Sequence, residues 1–138
     1  MKKLLLILIF AAFSSSFAIN QDSLFNIWLD KQQDDTTRIT ALATFINEGV
    51  LFSNPDSAHI LSESLLNYSD KKNIITGKAD ALNFMGVSKI LLGEYQQALG
   101  YFEKSLAISE KIRDKRRVSI SLANIAVIYD NLGDYSKA

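Results

Sequence analysis

The sequence predicts an all-α solenoid of stacked helical hairpins, and three observations carry that prediction. The pattern Leu82-x-x-Met85-Gly86…Gly93-x-Tyr95-x-x-Ala98 recurs as Leu122-x-x-Ile125-Ala126…Gly133-x-Tyr135-x-x-Ala138, with every offset equal to 40. A degraded copy, Leu42-x-x-Phe45-Ile46…Ser53-x-Pro55-x-x-Ala58, lies one more such step upstream. Apolar residues recur at helical spacing from about residue 36 onward, with no β-type alternation, proline-rich linker or low-complexity stretch. A fixed period of this size marks units too small to bury their own apolar faces, which must stack on their neighbours.

The elements follow in order. Lys2 and Lys3 precede the apolar run Leu4 to Phe13 and a small, polar stretch, with Ser16 and Ala18 at the −3 and −1 positions of a cleavage site. This is the layout of a cleavable secretory signal over residues 1–18. The apolar run is shorter than the ~20 residues that span a bilayer; the competing reading is an uncleaved anchor. No cysteine follows Ala18, which argues against a lipid-modified amino terminus. Residues 19–33 then hold a capping helix, with Asp22-Ser23 at its start and Leu24, Phe25, Ile27, Trp28 and Leu29 along it.

A degenerate repeat occupies 34–73. Asp35 or Thr36 is its expected N-cap, and Leu42, Phe45, Ile46 and Gly49 form one helical stripe. Ser53-Asn54-Pro55-Asp56 stops that helix and starts the next, whose apolar face carries Ala58, Leu61, Leu65 and Leu66. A clean repeat fills 74–113: one helix to about Leu92, a turn at Gly93-Glu94, then a long helix with Tyr95, Ala98, Phe102, Leu106 and Ile112. The charged segment Arg113 to Arg117 reads as a separator, with cations favoured at a helix C-terminus. An incomplete repeat, 114–138, follows.

The residue types suit a packed hairpin. Gly93 and Gly133 reverse the chain at positive φ. Gly86, Ala126, Ala98 and Ala138 are small where helices approach, while Leu82, Met85, Phe102, Leu106, Leu122 and Ile125 fill the space between, with Tyr95 and Tyr135 wedged in the pair.

The stretch Asn83-Phe84-Met85-Gly86…Gly93-Glu94-Tyr95-Gln96-Gln97-Ala98…Tyr101-Phe102-Glu103-Lys104-Ser105-Leu106, with its partial copy Asn124-Ile125-Ala126…Gly133-Asp134-Tyr135-x-x-Ala138, resembles the tetratricopeptide repeat. The spacing is similar to a lengthened variety of about 40 residues found in exported bacterial proteins, and the likeness covers roughly 36–138. The first copy departs from the pattern at Ile46, Ser53 and Ser62, and Lys89 stands where the family prefers tyrosine. The resemblance implies a right-handed superhelix whose first helices line a groove that binds a protein or peptide. Carried onto this chain, it places the partner-binding surface at Asp80, Asn83, Phe84, Val87 and Leu91, and at Ala123, Asn124, Val127, Asp130 and Asn131. Amides beside exposed apolar groups suit an extended peptide. Phe84 reads either as the anchor of that surface or as packing against the next repeat.

The chemistry of a reaction centre is harder to find. Lys plus Arg equals Asp plus Glu, 15 each, which gives no field for gathering nucleic acid. There are no cysteines, so no disulfide or thiolate metal site is expected. The one histidine, His59, has no spaced catalytic or metal-ligating partner in the sequence and reads as an exposed helix-surface residue. No phosphate loop, nucleophile elbow or zinc motif occurs, and no serine has a general base in view. Met85, Tyr95, Tyr101 and Phe102 fall at packing spacing and read as core.

The expectation is a non-enzymatic exported scaffold in a bacterial periplasm, without cofactor or metal. The alternative is the sensory amino-terminal region of a membrane-bound histidine kinase or transcription regulator. The sequence stops at Ala138, within a repeat, and its incomplete third unit is expected to continue into further repeats, a membrane span or an output domain.

Overall fold

A computed structural model describes residues 21–133. The expected signal, Tyr135 and Ala138 lie outside the described residues. Helix α1 covers residues 21–29. It is followed by α2 Asp35–Phe45, which runs on into a π-helical turn Ile46–Val50, then α3 Pro55–Lys71, α4 Ile75–Leu91, α5 Tyr95–Lys111 and α6 Lys115–Asn131. No strand occurs among the described residues. Successive helices from α2 begin at residues 35, 55, 75, 95 and 115, one every 20, so a hairpin takes 40. The molecule is the all-α hairpin solenoid that the repeat predicted.

The punctuation has a local cause at each end. Asp34 Oδ1 accepts the Thr37 N–H at 2.9 Å, Asn54 Oδ1 that of Ser57 at 3.0 Å, and Asp114 Oδ1 that of Arg117 at 3.0 Å. Each bond satisfies a donor that a helix start leaves open. The cap of α2 is therefore Asp34, one residue before the two expected candidates. Asp22 and Ser23 lie inside α1 and do not cap it. Pro55 sits at the start of α3, where its missing N–H costs nothing.

At the C-termini the left-handed conformation recurs with the same beat of 20: Asn73 (φ 56°), Gly93 (77°), Arg113 (58°) and Gly133 (73°). The next N–H then closes back onto the last turn, Ile74 to Ser69 O at 2.8 Å, Glu94 to Lys89 O at 2.8 Å and Asp114 to Ser109 O at 2.9 Å. This corrects the reading of 113–117 as a separator. Arg113 alone is the pivot, Ile112 ends α5 as its cap, and Lys115 to Arg117 already form the first turn of α6. Cations are unfavourable at a helix N-terminus; here the Asp114 cap offsets them. Arg113 is an L residue in a conformation that costs a side chain about 1–2 kcal/mol. Arg113→Gly is therefore expected to stabilise the protein by about 0.5–1 kcal/mol after the extra freedom of the unfolded chain is counted. Thermal melts would check this, and a lowered midpoint would contradict it.

Ser53, the first unit's counterpart of Gly93, does not adopt positive φ. The helix ends instead by widening: the Leu51 N–H bonds Ile46 O at 2.9 Å, one residue further back than in an α-helix. Ser53 Oγ then donates to Gly49 O at 2.9 Å.

The core forms two joined clusters. Ile39, Leu42, Ile46, Leu51, Ala58, Leu65 and Ala81 make the first, covered by Phe25 and Trp28 of α1. Helix α1 thus packs against the core of the first repeat. Ala98, Phe102 and Ile128 make the second, with Tyr95 and Ile125 packed on it, and Val87 belongs to both. Arg38 of α2 ties α1 to α3: it lies over the Trp28 and Tyr68 rings, donates to Trp28 O at 2.9 Å and to the Tyr68 hydroxyl. Tyr68 in turn donates to Asp35, and this bond, followed by the Lys72 ammonium, holds the Asp35 carboxyl below its usual pKa.

In the second hairpin a Cβ on Gly86 would stand 2.6 Å from Cε1 of the buried Phe102 ring, so only glycine fits. At the equivalent places of the first hairpin stand Ile46 and Ser62, both buried. The small and the large residue have changed sides, which conserves volume between the helices. Leu82 is buried and Leu42 fully so, whereas Leu122 is 51% exposed. The helix that would complete the hairpin with α6 is not among the described residues.

Candidate functional site

Two reversals return the chain to its starting direction, so α2, α4 and α6 run parallel along one side of the stack. Positions one repeat apart then share a level: Thr36, Thr76 and Arg116 near the helix starts, Thr40, Asp80 and Ile120 one turn on. Across these helices lies a groove of about 440 Å³. Its floor holds Ile39, Ala43, Ile74 and Phe84, and its walls hold Thr36, Thr40, Thr44, Asn47, Thr76 and Asn83.

Two side-chain pairs fix the spacing of the helices beneath it. The Arg117 guanidinium meets Asp80 with two parallel bonds, Nε to Oδ1 and Nη2 to Oδ2, both at 2.8 Å. Its Nη1 also donates to Asp114. The Asp80 bonds first, then Asp114, raise the Arg117 pKa against the cost of desolvation. Asp114 is held below its usual range by the Arg117 N–H and then by its guanidinium. Its contribution is complete at neutral pH and is lost only as pH falls through that lowered value. Above this pair, Asn124 Nδ2 donates to Asn83 Oδ1 at 2.9 Å.

The residues expected to bind a partner divide accordingly. Asp80, Asn83 and Phe84 line the groove. Phe84 is half-buried against the first core cluster as well, so it packs toward the first repeat while also facing the groove. Val87 packs between the two clusters and belongs to the core. Leu91, Ala123, Val127, Asp130 and Asn131 are exposed on α4 and α6 but line no part of the groove. Asn131 turns its amide to Val127 O at 2.7 Å. The wall residues of α2 escape a reading of the sequence because Ile46, Ser53 and Ser62 obscure the first copy. The signal is the offset itself: Thr76, Asp80 and Phe84 project back by 40 onto Thr36, Thr40 and Thr44.

His59 corrects another expectation. Its side chain is only 15% exposed, with Nε2 at 4.0 Å from Glu63. Its ring edge meets Tyr101, and Nδ1 lies 3.1 Å from Ser88 Oγ. Tyr101 is thus half-buried against His59, apart from the core clusters. A serine beside a histidine and a glutamate has the composition of a hydrolytic triad, and nothing in the sequence pattern hints at it. Its geometry is otherwise. Ser88 is fully buried and donates to Met85 O at 2.8 Å, so its oxygen accepts from the imidazole and offers no nucleophile to a substrate. Among the described residues no group of three His, Cys, Asp or Glu side chains is placed to hold a metal ion, and no helix is long and apolar enough to cross a membrane.

Residues 77–138 match the family model of the tetratricopeptide repeat. No curated protein matches the chain.

Proposed function

Residues 77–138 belong to a tetratricopeptide repeat array, and from that premise we propose that the chain is a binding scaffold whose groove across α2, α4 and α6 takes an extended segment of a partner protein. The observation that carries this is the lining. Threonine and asparagine side chains offer donors and acceptors to a peptide main chain, and Phe84 with Ile39 offers a shallow apolar floor to its side chains. The basic, apolar and small-residue layout of 1–18 supports an exported scaffold, in a bacterial periplasm.

Panning a displayed library of twelve-residue peptides on the protein tests the groove. Peptides that bind should lose about tenfold in affinity on Phe84→Ala, since aromatic anchors carry a disproportionate share of interface energy. Thr40→Arg, which fills the groove from an exposed position without touching the core, should weaken them as well. Peptides that bind both variants as well as the parent would place binding elsewhere. A library that yields no binder would also count against the scaffold reading.

A further inference from the structure

The groove carries charge as well as shape, and its charges are unevenly used. Asp80 and Arg117 neutralise each other in its floor. Two other charged residues line it and are exposed: Glu48 near the end of the first hairpin's leading helix, and Arg116 in the first turn of α6. Among the described residues neither has an ion-pair partner. Because α2, α4 and α6 are parallel, Arg116 shares its level with Thr36, whereas Glu48 lies three helical turns further along the same direction and two helices away. At ~1.5 Å rise per residue and ~8–10 Å between helices, the two charges stand at diagonal corners roughly 25 Å apart. That is the reach of about eight extended residues.

The geometry points to a bipolar ligand: an extended segment of about eight residues with a carboxylate at the Arg116 corner, a cationic group at the Glu48 corner, and small apolar or uncharged residues between them over Phe84. The inference rests on the groove being the binding surface, and it adds the chemistry and direction of what binds there. A segment acidic at both ends meets Glu48 with like charge, and one basic at both ends meets Arg116 so. Such repulsion is how a surface rejects wrong partners.

Four fluorescein-labelled octapeptides with a common uncharged centre test this by polarisation titration: lysine-first with glutamate-last, glutamate-first with lysine-last, lysine at both ends, and glutamate at both ends. One of the two bipolar orders should bind about fivefold more tightly than either uniform peptide, as expected for two exposed charge pairs. The preference should shrink in 0.5 M salt, where screening extends over only about 3–5 Å. Arg116→Glu should move the preference to the lysine-ended peptide, and Glu48→Lys to the glutamate-ended one. Both positions are exposed, so helical circular dichroism should be unchanged.

Peptides that bind alike whatever their ends, yet are weakened by Phe84→Ala, would overturn the bipolar inference and leave the groove standing. Charge preference that survives both swaps would overturn it too. Octapeptides that bind Phe84→Ala and Thr40→Arg as well as the parent would overturn both readings.

Discussion

Truncating Phe102 to alanine is expected to cost about 3–5 kcal/mol, which is much of the stability that a domain of this size holds. The ring is fully buried, with Gly86 of α4 on one side and Ala98 and Ile128 within its cluster. Gly86, which faces the ring, has no side chain with which to fill the space. In a solenoid each unit is held by its neighbours, so the damage should be regional. Amide exchange should accelerate across α4, α5 and α6, while α2 and α3, whose core is the other cluster, keep most of their protection. The converse substitution makes the argument sharper. Gly86→Ala puts a methyl 2.6–2.9 Å from three ring carbons of Phe102 and should itself be destabilising. In a Phe102→Leu background that penalty should largely vanish, a coupling that a double-mutant cycle reads directly. Additive effects would show that Gly86 is not small on account of Phe102.

How much of this was legible beforehand follows from which constraints are local. Helix turns were visible where glycine marks them, at 93 and 133, because glycine announces positive φ. At Asn73 the same turn is signalled more weakly, by the residue next most tolerant of positive φ, and at Arg113 by nothing, so the helix start at Lys115 was hidden inside a run of charge. Ile46 and Ser62 each look like damage to the repeat when read singly; as a pair they are a swap of Gly86 and Phe102 that keeps the volume between helices. Pair compensation is invisible to a position-by-position reading. The groove was half legible for the same reason. Asp80, Asn83 and Phe84 stand on the clean copy, while Thr36, Thr40 and Thr44 stand on the altered one. His59 was misplaced because its contacts, Ser88 and Tyr101, stand on the next hairpin and meet it only through the packing of one unit on another.

Ala98→Trp is expected to unfold the second hairpin outright. Ala98 has no exposed surface, and neither has Ala58, its counterpart in the first hairpin. At both places the second helix of a hairpin presses its smallest side chain on the core. Forcing extra atoms into a close-packed site typically costs about 1–3 kcal/mol, and an indole in place of a methyl lies at or beyond the upper end of that range. The control is Ala107→Trp on the same helix, which is exposed. Both changes trade the same helix propensity, so a difference between them isolates packing from local preference. The exposed variant should melt within about 0.5 kcal/mol of the parent, while the buried one should lose helical circular dichroism and amide protection throughout α4 and α5. Should Ala98→Trp instead melt with the parent, the two helices would not be packed as a hairpin at that level. The groove would then lose one of its supports, because Asp80, Asn83 and Phe84 stand on α4, which packs on α5 as well as on α3.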